Sequence, residues 1–304
     1  TAIAGREATH ALNDDAITIS QLVFFRSAVG LLILSALIFL RPGKPLWVLD
    51  KPLLKLHFSR NSAHFLGQWC WFYGLSLLPL AQVFAIEFTV PIWTALFATL
   101  LLSEKITGRR GISIVLGFIG VLVILRPGFV TVPDAAWVVL AGAISYALSH
   151  TLTKRLTGQA SALSILFYMH VMQLPLALIL VVFDFAFPQG ITWLYVVLTA
   201  LAAMTAHFCM AKALSYGDAM VVMPMDFLRL PLIAVLGVIL YDEGIDIWLL
   251  VGAGIMLFGN MLTLKEKPVA KKAVAKKAPV NNNKFALSFL YRPLPRNKSN
   301  CSTP

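Results

Sequence analysis

Charge is scarce in this chain: Asp, Glu, Lys and Arg supply 13% of its 304 residues, about half the share usual in soluble domains. Cysteine is scarcer still. Cys70, Cys209 and Cys301 are too few for a disulfide framework or a cysteine-built metal site. Cys70 and Cys209 lie in apolar runs, where a free thiol acts as a small hydrophobe. HExxH, GxSxG, an Asp-rich cation motif within an apolar run and an ATP-binding loop are all missing. Their absence argues against an intramembrane enzyme and against ATP-driven pumping by this chain alone.

Apolar side chains fill the space instead. They make up 59% of the chain, and mean hydropathy is +0.80. A disordered chain, a coiled coil and an ordinary cytosolic enzyme are excluded, leaving a protein mostly dissolved in lipid. The net charge of +11 invites a nucleic-acid partner, but its placement does not support one. Ten of the 25 Lys and Arg follow Leu264. Eleven, Arg60 and Arg110 among them, fall in short gaps between apolar runs. Arg126 lies in a different gap, and Arg6, Arg26 and Arg229 lie inside runs. That pattern signals membrane topology and no nucleic-acid partner.

A helix that spans a bilayer needs about 20 mostly apolar residues. Nine stretches qualify: 21–40, 61–79, 82–102, 111–129, 134–153, 162–183, 191–211, 219–240 and 247–264. Turn and breaker residues separate them, such as Arg126-Pro-Gly and Pro188-Gln-Gly. Thr1 to Leu12 is too short to span and lacks the apolar core of a signal peptide. It is expected to be the last part of a tenth, truncated helix, ended by Asn13-Asp14-Asp15. The gaps near 41–60, 103–110, 154–160 and 212–218 hold the eleven loop cations, and alternate gaps hold one. Those basic gaps and the C-terminus are therefore expected to be cytoplasmic. Residues 265–304 are rich in Lys, Pro and Asn, cannot pack a core, and are expected to form a disordered basic tail.

The chain also repeats itself. Tyr73-Gly-Leu-Ser and Lys212-Ala-Leu-Ser both close a span, 139 residues apart. Glu87 and Asp226, Gln68 and His207, and Glu104 and Glu243 share that offset. Five helices per half would place the halves in opposite orientation, the inverted-repeat plan of secondary transporters, with a site near the midplane.

Leu75-Ser-Leu-Leu-Pro-Leu-Ala-Gln-Val-Phe-Ala-Ile-Glu-Phe-Thr-Val-Pro-Ile-Trp, then Leu102-Ser-Glu, then Gly117-Phe-Ile-Gly-Val-Leu-Val-Ile-Leu-Arg-Pro-Gly carry a family resemblance. Met223-Pro-Met-Asp-Phe-Leu-Arg-Leu-Pro and Asp242-Glu repeat it, and Gln21-Leu-Val-Phe-Phe-Arg-Ser fits the second helix. Over about 2–264 the chain resembles the drug/metabolite transporter superfamily, EamA type. The resemblance implies an all-α polytopic membrane protein, a ten-helix bundle of two inverted five-helix repeats around a central cavity. Here the repeats would be 1–129, with a partial first helix, and 134–264. It also implies a small-molecule substrate such as an amino acid, S-adenosylmethionine or riboflavin.

Ionisable groups inside lipid are costly and face a cavity or a partner. Asp226 and Arg229 are i,i+3 and share a helical face. They make either a local ion pair or a charged cavity wall. Glu87 has no cation within a turn of its own span, so a bridge to Arg26 is expected, unless Glu87 is a protonatable gate or an amine ligand. His64, Gln68 and Trp71 form one polar stripe. His207, the counterpart of Gln68, is the best-placed histidine, with His170 as a further candidate. Tyr146 belongs to a set of aromatics, with Trp69, Trp71, Phe72, Tyr73, Trp93 and Tyr168, that either pack the core or line a pocket. Glu104 and Glu243 read as structural groups at helix ends.

The sequence thus points to a secondary carrier of a small polar metabolite working by alternating access, with no cofactor, no metal and no enzyme chemistry. A passive channel is the main alternative. Membrane lipids are its surroundings, and a bacterial inner membrane its expected location. Protons as coupling partners and a homodimer stay open.

Overall fold

The computed structural model describes residues 1–9, 16–40, 51–126, 133–183, 185–223, 225, 230–241 and 247–264. Within them the chain is helical. Ala2–Thr9 (α1), Ile19–Phe39 (α2), Lys51–Leu77 (α3), Leu80–Glu87 (α4), Val90–Leu102 (α5) and Gly108–Leu125 (α6) belong to the first half. Asp134–Thr157 (α7), Ala162–Val181 (α8), Thr192–Tyr216 (α9), Ala219–Val222 (α10), Leu230–Tyr241 (α11) and Ile247–Leu264 (α12) belong to the second. Among the described residues five stretches are long and apolar enough to cross a membrane: Ile19–Phe39, Gln82–Leu102, Asp134–Thr157, Ala162–Val181 and Thr192–Tyr216. The protein is an all-α polytopic membrane protein.

Local chemistry sets the helix ends. Thr18 and Gln21 form a reciprocal capping box at the start of α2, with Gln21 N donating to Thr18 Oγ1 at 3.2 Å and Thr18 N donating to Gln21 Oε1 at 2.8 Å. Thr107 and Ser161 cap α6 and α8 through their hydroxyls. Ser103 and Arg126 end α5 and α6 in the left-handed region, at φ 56° and 45°. The span 82–102 is not continuous: α4 stops at Glu87, Thr89 Oγ1 donates to Ile86 O at 2.8 Å, and Pro91 sits in the first turn of α5. The acidic side chain therefore lies at a helix break. Helix α3 starts ten residues before the apolar run 61–79 and carries His57, Arg60 and Asn61 into the bundle, all buried. Arg60 is thus no loop cation, and Arg110 is likewise buried, in the first turn of α6.

Burial is reversed relative to a water-soluble protein. Leu32, Phe39, Phe118, Ile179, Phe183 and Ile239 stand exposed, while Gln21, Arg26, Asn61, His64, Gln68 and Gln173 are buried. Lipid accepts the former, and the latter must find partners inside. The packing relates the halves. Helices α2 and α8 pack together, as do α6 and α12, each pair joining counterparts; α3 packs on α7 and, in the corresponding places, α1 on α9. At the α6–α12 crossing a Cβ on Gly120 would lie 2.7 Å from Gly252 O, and one on Gly252 would lie 2.6 Å from Gly120 O. The 139-residue offset carries Gly120 to Gly259 and Ser113 to Gly252, and a Cβ on Gly259 would meet Ser113 O at 3.3 Å. The crossing is therefore built twice.

Candidate functional site

A cavity of about 450 Å³ lies between the halves, within the usual range for small-ligand sites. Arg26 of α2, Gln68, Trp71 and Phe72 of α3 and Glu87 of α4 line it from the first half. Tyr146 and His150 of α7 and His207 of α9 line it from the second, with small residues such as Ala203 and Ala206 leaving the space open.

The two opposite charges do not bridge. Arg26 Nη2 donates to Gln68 Oε1 at 2.5 Å. Trp71 Nε1 donates to Glu87 Oε2 at 2.8 Å. This corrects the expected Arg26–Glu87 pair: uncharged groups on α3, one turn apart, take up each partner. Arg26 is 3% exposed, and its one hydrogen bond goes to a neutral amide. A buried guanidinium so placed retains most of its demand for an anion.

Behind the wall stands His64, fully buried, with its Nδ1 accepting from Gln173 Nε2 at 2.6 Å. Its ring meets His207 edge-on at 4.6 Å and Tyr146 at 5.4 Å. His64 therefore supports the wall from α3 without lining the cavity. His170 is also outside the lining; its Nδ1 bonds Leu166 O at 2.9 Å, and its ring fills the space left by Gly30. Of the candidates, Arg26, Gln68, Glu87, Tyr146 and His207 line this one cavity, whereas Asp226 and Arg229 lie outside the described residues, as does Glu243. Of the aromatics, Trp71, Phe72 and Tyr146 line the cavity. Trp69 instead stacks on Tyr73, Trp93 bonds Thr89, and Tyr168 packs on His57. His150, another ionisable residue within an apolar run, also belongs to the wall. Among the described residues no cluster of His, Cys, Asp and Glu is built to hold a metal.

A second polar cluster clips the halves together at the basic side. Glu104, just past α5, accepts from Ala219 N at 3.2 Å and Met220 N at 3.4 Å. Arg110 of α6 pairs with Asp218 at 3.3 Å. Lys154 of α7 donates to Leu214 O at 2.7 Å and to Gly217 O. Burial raises the Glu104 pKa above its usual value, the nearby Asp218 carboxylate adds to this, and the two backbone N–H groups and Lys154 oppose it.

A model of the EamA-like transporter family matches residues 8–126 and 135–265. Among curated proteins, an S-adenosylmethionine uptake transporter of Rickettsia felis is 27% identical over 258 residues, 84% of this chain and 85% of that protein. A riboflavin transporter of Brucella anthropi is 30% identical over 218 residues, 69% of this chain and 76% of that one. A pseudopaline exporter, CntI, of Pseudomonas aeruginosa is 24% identical over 205 residues, 67% and 71% of the two chains. A solved crystal structure of another protein superposes with a TM-score of 0.66 at 17% identity, over 87% of this chain and 98% of that one, a likeness of fold.

Proposed function

We propose that this chain, which belongs to the EamA-like transporter family, carries a small metabolite with an amino-acid head group, of the S-adenosylmethionine kind. The observation that carries this reading is one cavity holding Arg26 and Glu87, each bonded to an uncharged neighbour. A carboxylate suits the guanidinium and an ammonium suits the carboxylate. Trp71, Phe72 and Tyr146 offer faces to a flat or cationic remainder. Similarity to S-adenosylmethionine uptake transporters supports the same choice. Riboflavin carries neither an ammonium nor a carboxylate and would leave Arg26 without an anion.

Transport then proceeds by alternating access of two inverted repeats, 1–129 and 134–264, with exchange or proton movement completing the cycle. Glu87 and its counterpart Asp226 are the groups through which a proton would couple. The basic loops and the C-terminus lie on the cytoplasmic side of a bacterial inner membrane in this reading.

Titration calorimetry on the purified full-length protein tests the substrate. S-adenosylmethionine should bind and riboflavin should not. Arg26→Gln and Glu87→Gln should each weaken binding about 10- to 100-fold, the range for a lost charged hydrogen bond. Tight riboflavin binding, or unchanged affinity in both variants, would sink the proposal.

A further inference from the structure

The cavity leaves a second buried guanidinium unexplained. Arg60, on α3 two turns before Gln68, is 3% exposed. Its Nε donates to Thr153 Oγ1 of α7 at 3.0 Å, and its Nη1 to Asn61 Oδ1 at 2.7 Å. Both acceptors are neutral, and among the described residues no carboxylate pairs with it. Asn61 is held in turn by α8, its amide donating to Tyr168 O at 3.1 Å.

Buried polar atoms without partners gather on the same faces. Both ring nitrogens of His57, one turn before Arg60, have none, and the His57 ring is fixed 4.4 Å from that of Tyr168. Ser149 Oγ, one turn before Thr153, has none either, nor have His64 Nε2 and Gln173 Oε1. His57, Ser149, His64 and Gln173 are each at most 1% exposed. Native interiors rarely leave such groups unfilled. A cation without a counter-charge, beside idle hydroxyl and imidazole donors on α3 and α7, has the chemistry of an anion site.

We propose that Arg60, with His57 and Ser149, binds a small monovalent anion on the basic side of the cavity. The ligand is either a free halide or a carboxylate group. The site stands apart from the substrate reading, because Arg26 and Glu87 are not part of it.

The test is the melting temperature of the full-length protein in detergent, without substrate, in gluconate, a bulky anion. Chloride is titrated in one arm and formate in the other. A saturable rise of about 2–4 °C is expected in one or both arms. Chloride alone would identify a halide site, and formate alone a carboxylate site. The rise should persist in Arg26→Gln, which removes the cavity's own anion acceptor, and vanish when Arg60→Gln is added to that background. Should Arg60→Gln not fold, Arg60→Lys and His57→Phe serve, and each should raise the anion midpoint at least about threefold, since Lys lacks the guanidinium fork and Phe the ring donor. No rise with either anion would overturn the site. So would a rise in the Arg26→Gln background that survives Arg60→Gln, or an unchanged midpoint in both substitute variants.

Discussion

Arg26 shows how a membrane interior can hold a charge in reserve. Had it met Glu87 directly, both would be spent on each other. Gln68 and Trp71 instead hold the two groups apart at the cavity wall, the guanidinium on a neutral amide and the carboxylate on an indole N–H. The rule that buried charges pair led from sequence to the wrong partner, because it ignores amide and indole neighbours that only the helix register reveals. Glu104 makes the opposite use of a carboxylate, as an acceptor for two N–H groups of the other half. Its raised pKa has a definite sign. The unfolded chain loses that proton first, so the group's contribution to stability falls as pH rises from the unfolded value through the folded one. Glu104→Gln mimics the protonated form. Its melting temperature relative to wild type should therefore climb as pH rises from the usual carboxylate range toward neutrality. A relative fall as pH rises would contradict the assignment.

At the scale of elements, apolar runs reveal what faces lipid and miss what faces inward. The ends of α7, α8 and α12 fall within four residues of their runs, because Pro, Gly and Ser mark them. Helix α3 escaped by ten residues, since its first turns bury His57, Arg60 and Asn61 against α7 and α8. Those polar letters look like a loop until a partner helix is present. The break inside 82–102 is a different case: Thr89 and Pro91 interrupt the ladder without lowering hydropathy, so the apolar run reads as one span. Glycine was legible only as punctuation, yet Gly120 and Gly252 set how closely α6 and α12 approach. Gly252→Leu should overpack that crossing and cost about 1–3 kcal/mol, read as a lowered melting temperature. Unchanged stability would mean that the crossing is looser than its geometry.

At the scale of the whole molecule, the counterpart pairings fit a two-fold plan already visible in Glu87 and Asp226, Gln68 and His207. The clip formed by Glu104, Arg110, Lys154 and Asp218 breaks that symmetry, since the residue 139 before Asp218 is Pro79 and the one 139 after Arg110 is Leu249. A cavity that opens to the basic side must part this clip. Cys209, exposed and in the cavity lining, reports on it. In a Cys301→Ser background, Arg110→Met with Lys154→Met should raise its labelling by an impermeant maleimide from that side several-fold. Unaltered labelling would show that the clip does not gate access.

Counterflow in proteoliposomes tests the central claim most directly. With the full-length protein, entry of labelled S-adenosylmethionine should accelerate when unlabelled S-adenosylmethionine is preloaded. It should not respond to preloaded riboflavin, and the acceleration should disappear in Arg26→Gln and Glu87→Gln. Entry that ignores the preload would describe a channel, and acceleration by riboflavin alone would contradict the amino-acid head group as the feature this cavity recognises.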